Sequence, residues 1–335
     1  MEKFDEERLG IVKLVRRWAG STSDAILDPS MQRFHLSGVE GFIAYRPESN
    51  YVIVFGDPTC AEADRSLLTR AFHQFAEDQK KNVIYISASH SFAHWAIENG
   101  CSKLIEFAKE LILDPSRDPT KESGSHGSLV RRKMRSALRE KVSVHEHLSP
   151  DPQLNQAIES VGEQWLSSRR GLQMHISNVY LFNDTEGKRW FYAKQKEKVI
   201  GVVCINQLQK HQGWLLNHLM ALSDAPNGTS ELLVITALKA LNKEGCRFVT
   251  VGVVTPKKLG KMIGLSGFSK WVAHLGFKIG RMAAHLDGLN AFWRKFNPQE
   301  YPSYLLFSRD KIGLKDLVIL KKALSGNPKK RTENG

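Results

Sequence analysis

Cysteine is scarce in this chain. The four present, Cys60, Cys101, Cys204 and Cys246, lie far apart with no Cys-x-x-Cys pair, which indicates neither a zinc site nor a disulfide framework and leaves them as reduced, mostly buried thiols. Long apolar runs are missing too: no segment reaches the roughly 18 uninterrupted apolar residues of a membrane span. The opening Met1-Glu2-Lys3-Phe4-Asp5-Glu6-Glu7 is acidic and has no apolar h-region, so neither secretion nor organelle import is signalled and a cytoplasmic location is expected. No Gly-x-Ser-x-Gly elbow, Walker loop or dinucleotide fingerprint occurs, which weighs against hydrolases, ATPases and dehydrogenases. His90 and His94 stand four apart on an expected helix, but Ser91 takes the place of the glutamate of a zinc-protease helix, so no metal is expected there. His145 and His147 read as surface residues on a strand. Neither a metal nor a cofactor is called for.

What the chain has in excess is positive charge. Lys and Arg number 48 against 35 Asp and Glu, a net charge of +13, and this balance favours an anionic partner such as nucleic acid or anionic lipid headgroups. A merely solubilising surface is the alternative. The 335 residues, 41% hydrophobic and 25% charged, suggest a globular α/β protein of two domains of roughly 150 residues each.

An amphipathic helix is expected over residues 6–19, with Leu9, Val12, Val15 and Trp18 on one stripe and Lys13, Arg16 and Arg17 opposite. Strands follow at 41–45 and 51–55, the second ending in Gly56-Asp57-Pro58; then a helix at 63–78, a strand at 83–87, a helix at 92–99 and an extended 111–113. Residues 114–128 read as a mobile loop. The helix expected over 129–142 carries Arg131, Arg132, Lys133, Arg135, Arg139 and Lys141 with only Leu129, Met134 and Leu138 as an apolar edge, a pattern for phosphate binding or for a solvated face. In the second half the reading is a helix at 153–167, a hairpin of 189–194 and 199–206, a strand at 213–222, a helix at 231–244 closed by Gly245, and a buried strand at 247–254. The order strand, turn, helix, strand occurs in both halves, which suggests two copies of a similar fold.

Between the 213–222 strand and its helix lies Asp224-Ala225-Pro226-Asn227-Gly228-Thr229-Ser230-Glu231. A helix N-terminus presents unpaired N–H groups and partial positive charge, so Gly228, Thr229 and Ser230 are placed to approach an anion or a developing oxyanion, with Thr229 or Ser230 as cap. Ordinary turn chemistry also accounts for Pro-Asn-Gly.

The same octapeptide resembles the signature of the C-terminal domain of phosphatidylglycerol lysyltransferases. In order with it come Gly56-Asp57-Pro58, the basic helix, Gly201 after Val199-Ile200, Gly288-Leu289, Lys295-Phe296-Asn297-Pro298 and Tyr304-Leu305, so that the resemblance spans about residues 35–310. It implies tandem acetyltransferase-like (GNAT-like) domains, each a mixed sheet flanked by helices, over 1–147 and 148–325, with 326–335 as a basic disordered tail. It implies as well an aminoacyl-tRNA donor and an anionic phospholipid acceptor, in a free-standing version without a flippase. Peripheral membrane contact is then expected through a helix bearing Leu314, Leu317, Val318, Leu320 and Leu324 beside Lys311, Lys315, Lys321 and Lys322, unless that helix docks on the protein's own core. Where the family has other polar residues this chain has His218, Ala221, His285, Asn290, Trp293, Glu300 and Ser303, so lysine as the transferred amino acid is not supported.

The expected reaction is attack of an acceptor on the aminoacyl ester without a covalent enzyme intermediate, aided by positioning and oxyanion stabilisation. Asp224 or Glu231 would hold the α-ammonium or accept a proton, Asn227 with the Gly228 and Thr229 amides would orient the carbonyl, and Lys295 with Asn297 would contact phosphate or ribose. His218 and Gly252 complete the candidate substrate-binding set, and Arg131, Arg132 and Arg135 are candidates for tRNA or lipid phosphate. The alternatives are an acyl-CoA N-acyltransferase, disfavoured because Pro226 and a single Gly228 leave few N–H groups for a pyrophosphate, a tRNA-dependent peptidyltransferase, and an inactive tRNA- or lipid-binding module.

Overall fold

A computed structural model describes residues 2–168, 179, 181–283 and 287–324. The first half runs α1 (Glu2–Trp18), β1 (Gln32–Phe34), β2 (Gly41–Glu48), β3 (Tyr51–Phe55), β4 (Thr59–Cys60), α2 (Arg65–Asp78), β5 (Asn82–Ala88), α3 (His90–Glu98), β6 (Lys103–Leu113), α4 (Gly124–Arg139) and β7 (Val142–Glu146). The second half runs α5 (Pro152–Ser168), β8 (Lys188–Gln195), β9 (Lys198–Leu208), β10 (Gly213–Ala221), α6 (Thr229–Lys243), β11 (Val249–Val254), β12 (Met262–Ile263), α7 (Gly267–Ala283), α8 (Asp287–Arg294), β13 (Gln299–Phe307) and α9 (Leu314–Leu324).

All the strands among the described residues join one 13-stranded mixed sheet in the order β1-β2-β3-β5-β13-β6-β11-β10-β9-β8-β7, with β4 on β2 and β12 on β6. Two similar units are visible in it. In each, an antiparallel hairpin (β2–β3, β9–β10) leads through a turn and a helix (α2, α6) to a strand parallel to the second hairpin strand (β5, β11). We propose that these units correspond to 1–147 and 148–325, with two strands exchanged: β7 pairs with β8 at the far edge, and β13 inserts between β5 and β6. The expected tail at 326–335 lies outside the described residues.

Period-two alternation builds the first unit's two cores. Tyr51, Ile53 and Phe55 of β3 face the layer of α1, α7 and α9, while Val52 and Val54 face α2 and α3. In the second unit, α6 is apolar on nearly every side, with Leu232, Leu233, Val234, Ile235, Ala237, Leu238 and Leu241 buried, because it is enclosed by the sheet on one side and α4 on the other.

Several sequence expectations are corrected. The basic helix begins at Gly124, inside the stretch read as a loop, and ends at Arg139, while Val142 starts a strand. Its buried edge is Gly127, Val130 and Ala137, with Leu138 turned outward. Residues 111–113 are the end of a longer strand. Arg16, assigned to the polar side of α1, is buried against Asp24. His147 falls just past β7, half-buried and hydrogen-bonded to Asn155. Neither Thr229 nor Ser230 caps α6, whose N-cap is Gly228. The C-terminal helix docks on the core through Ile319 and Ala323, with Leu317 and Leu320 packed against it.

Candidate active site

The two parallel strand pairs differ in one respect that locates a site. In the first unit β3 and β5 stay paired from Tyr51↔Asn82 to Phe55↔Ile86, and the Gly56 N–H closes the end by donating to the Ile86 carbonyl at 2.8 Å. In the second, β10 and β11 pair only at Trp214↔Val249 and Leu215↔Thr250, after which β10 bulges between Leu216 and His218. Beyond that point the two strands run on without a ladder between them, and the turn to α6 follows where β10 ends. Parted strands offer backbone groups that a ligand can satisfy.

Polar groups gather at this parting. Thr250 donates its hydroxyl to Glu110 Oε1 at 2.7 Å and accepts the Gly252 N–H at 3.1 Å, with Gly252 in the left-handed region at φ 83°. Burial pushes the Glu110 carboxyl up, against the opposing hydrogen bonds of Thr250 and Ser21. On the β10 side, Asn217 donates to Asp24 at 2.9 Å, and Asp24 also meets Arg16 at 2.8 Å and Lys188 at 3.3 Å. Burial alone would raise the Asp24 carboxyl, but Lys188 and Arg16 hold it below its ordinary value. Burial drives His218 down to about 4, so its imidazole is neutral at pH 7.

The turn itself is held by tight packing. Gly228 adopts φ 98°, and a β-carbon there would lie 1.9 Å from the Lys133 carbonyl oxygen, so only glycine lets α4 cross the start of α6. Thr229, buried, donates its hydroxyl to the Pro226 carbonyl at 2.7 Å, and no side chain caps the helix.

In the first turn of α6, Glu231 accepts a 2.5 Å charged hydrogen bond from Lys295 Nζ, with both residues under 8% exposed. The ammonium sits 3.7 Å from the Phe292 ring centroid. Burial lowers the Lys295 ammonium below its ordinary value, Glu231 opposes that, and nearby Lys133 adds to the lowering. Lys133 in turn donates to Asn227 Oδ1 at 2.6 Å. A buried carboxylate–lysine pair beside an uncapped helix start can hold or move one proton without a metal ion.

The structure therefore brings Asn227, Gly228, Thr229, Glu231 and Lys295 together, and places His218 and Gly252 on the parted strands that lead to them. Asp224 points outward to Lys198 at 3.1 Å, both well exposed. Asn297 lines a separate crevice with Arg117 and Leu238. Arg131 donates to the Thr120 and Glu122 carbonyls at 3.0 and 2.7 Å, tying down the loop before α4, while Arg132 and Arg135 are exposed. Sequence reasoning missed Lys133 as a member of the turn, Phe292 beneath Lys295, and the half-buried acids Glu110 and Asp24. Only Glu110 left a trace in the sequence, as a charge beside the apolar Leu111-Ile112-Leu113.

The sequence matches the family described as phosphatidylglycerol lysyltransferase, C-terminal, over residues 14–307. The chain belongs to that family. Two phosphatidylglycerol lysyltransferases of Staphylococcus epidermidis are each 21% identical over 305 residues, covering 88% of this chain and 35% of the relative, so the chain spans about a third of the length of those curated relatives. Among solved structures, a C-terminal DUF2156 domain from Agrobacterium fabrum superposes with a TM-score of 0.78 at 16% identity, covering 96% of this chain and 98% of that one. L-PGS from Bacillus licheniformis gives 0.73 at 15% identity, covering 94% and 96%. FemX gives 0.54 at 9% identity, with 93% and 98% covered. The phosphatidylglycerol lysyltransferase C-terminal fold, an acetyltransferase-like mixed α/β sheet flanked by helices, is thus the fold of this chain, its two units fused into one sheet. No helix among the described residues is long and apolar enough to cross a membrane.

Proposed function

We propose that this chain is an aminoacyltransferase that moves the aminoacyl group of a charged tRNA onto a hydroxyl of an anionic phospholipid headgroup, acting peripherally at the inner face of the membrane. The observation that carries the reading is the buried Glu231–Lys295 pair at the uncapped start of α6, next to the parted β10 and β11. Family membership supports it. In the reaction the lipid hydroxyl oxygen attacks the aminoacyl carbonyl, the ester bond to the tRNA ribose breaks, a new ester forms, and the proton of the attacking hydroxyl ends on the ribose oxygen. The Gly228–Glu231 helix start stabilises the developing oxyanion. Lys295, with its proton loosened by burial and its position fixed by Glu231, relays the proton between the two hydroxyl oxygens. Lys133 orients Asn227 towards the same point, and Asp224 remains an outer candidate for the α-ammonium. Exposed Arg132 and Arg135 on α4 supply phosphate contacts for the tRNA.

The test is transfer of label from a mixed pool of radiolabelled aminoacyl-tRNAs into the organic phase of a lipid extract, with RNase and enzyme-free controls. Label in lipid that is abolished by RNase supports the proposal. Tight tRNA binding without lipid label overturns it in favour of a non-lipid acceptor or an inactive binding module.

A further inference from the structure

Among the described residues, half of the large apolar side chains that stand exposed are concentrated on two helices. Phe268, Trp271 and Ile279 on α7 are 62%, 56% and 55% exposed, and Leu314 and Val318 on α9 are 52% and 64% exposed. The two helices pack on each other, with Gly276 against Leu317, and their inward faces are already used: Val272 and Ala273 of α7 and Ile319 and Ala323 of α9 are buried in the core. What remains outward is an apolar face with Phe268 and Trp271 stacked side by side.

The exposed charge on the two helices themselves has one sign, with exposed Asp310 just ahead of α9 the nearby exception. Exposed Lys270, Lys278, Lys311 and Lys315 flank it, and α7 contains no acidic residue. The one acid of α9, Asp316, is fully buried and engaged by the Tyr51 hydroxyl and the Gly313 N–H. The nearby Asp310 pairs with Lys103. Apolar and aromatic side chains at the centre of a lysine rim, with no exposed carboxylate on either helix, match an interface with hydrocarbon below and anionic headgroups around it. A protein partner of opposite charge would not require the exposed aromatic pair, and a second copy of the same face would set lysine against lysine.

We infer that the α7–α9 face is the surface by which this protein docks on an anionic phospholipid bilayer, with Phe268, Trp271, Ile279, Leu314 and Val318 inserted at the headgroup boundary and the lysines contacting lipid phosphates. The inference gives the lipid-acceptor reading a place of entry and rests on it for its biological purpose, while the binding itself is measured without tRNA or turnover. α9, expected to meet the membrane on its own, does so as half of a two-helix surface led by α7.

Sedimentation with vesicles of phosphatidylcholine containing roughly a third phosphatidylglycerol, against phosphatidylcholine alone, tests this. The wild-type protein partitions onto the anionic vesicles. The double variant Phe268→Glu/Trp271→Glu and the variant Val318→Glu each reduce partitioning by about tenfold or more, whereas Leu148→Glu, at a still more exposed site elsewhere, leaves it unchanged. Partitioning of the double variant at the wild-type level, or wild-type binding that is equal with and without phosphatidylglycerol, overturns the inference; so does conversion of a wild-type dimer to monomer by these substitutions with vesicle binding intact. Transfer to a dispersed short-chain phosphatidylglycerol separates the two ideas. If the double variant transfers normally to the dispersed lipid and fails only on vesicles, both hold. If no form transfers while vesicle binding follows the pattern above, the docking surface stands and the transferase reading falls.

Discussion

Separating Glu231 from Lys295 produces opposite pH dependences in the two single variants. In Glu231→Gln the buried ammonium loses its partner, and its escape is to shed the proton. With an ordinary value of 10.5, shedding it at pH 7 costs at most about 3.5 pH units, or about 4.8 kcal/mol, and this ceiling falls to about 2 kcal/mol at pH 9. In Lys295→Met the stranded carboxylate escapes by taking up a proton, and from an ordinary glutamate value of about 4.3 that ceiling is about 2.3 kcal/mol at pH 6 and about 5 kcal/mol at pH 8. Near pH 7 the single variants therefore lose at most about 4.8 kcal/mol (Glu231→Gln) and about 3.7 kcal/mol (Lys295→Met). The Glu231→Gln penalty shrinks as pH rises and the Lys295→Met penalty shrinks as pH falls. The double variant Glu231→Leu/Lys295→Met leaves no buried charge and is less destabilised than either single variant, which gives a coupling energy of about 2 kcal/mol or more. Urea unfolding at pH 6, 7 and 9, read at constant m-value, measures all three. Parallel pH trends in the two single variants, or a double variant that sums them, would refute a desolvated ion pair. Transfer activity is lost in all three, including the one whose stability recovers.

Burial lowers His218 to about 4 in the fold, from 6.5 when unfolded, so the unfolded chain binds the extra proton between those values and stability falls by about 3 kcal/mol as pH drops from 6.5 to 4; His218→Gln removes that slope, and an unchanged slope in the variant excludes His218 as its source. Gly228→Ala combines left-handed strain with the Lys133 carbonyl clash and lowers unfolding free energy by about 2–4 kcal/mol, whereas a loss under about 1 kcal/mol would mean that α4 yields easily. Arg132→Glu/Arg135→Glu weakens tRNA binding about tenfold or more at physiological salt with unchanged thermal stability, measured by filter binding. Arg131→Met instead costs about 1–3 kcal/mol of stability by stranding the Thr120 and Glu122 carbonyls, and the reverse pattern between the two variants would reassign the basic helix.

Much of the architecture was legible in the chain itself, because it is written in local pattern. Period-two apolar runs gave the strands from Gly41 to Phe55 and from Lys188 to Ala221 to within a few residues, and Pro226-Asn227-Gly228 marked the turn before α6. Gly228 could be singled out because a Pro-Asn-Gly turn before a helix is a local pattern, and Glu231 and Lys295 because they belong to short motifs. Composition gave the excess of positive charge, and the wide spacing of the four cysteines gave the expectation of single buried thiols, which is how they stand in the fold.

Tertiary structure alone decided which distant residues share a volume. Nothing local announces that β13 inserts between β5 and β6, that β10 and β11 part after two residue pairs, or that the Lys133 carbonyl seals the turn. Arg16 looked like one more solvated cation on α1, yet Asp24 and the loop at Glu186 draw it inside. Which face of α7 stays in water, with Phe268 and Trp271 on it, is decided only once α9 and the sheet bury the other side. Sequence determines the preferences of each segment through short-range sterics and burial, whereas the pairing of charges, the parting of strands and the choice of the face left in water depend on long-range packing, for which a single chain carries no periodic signal.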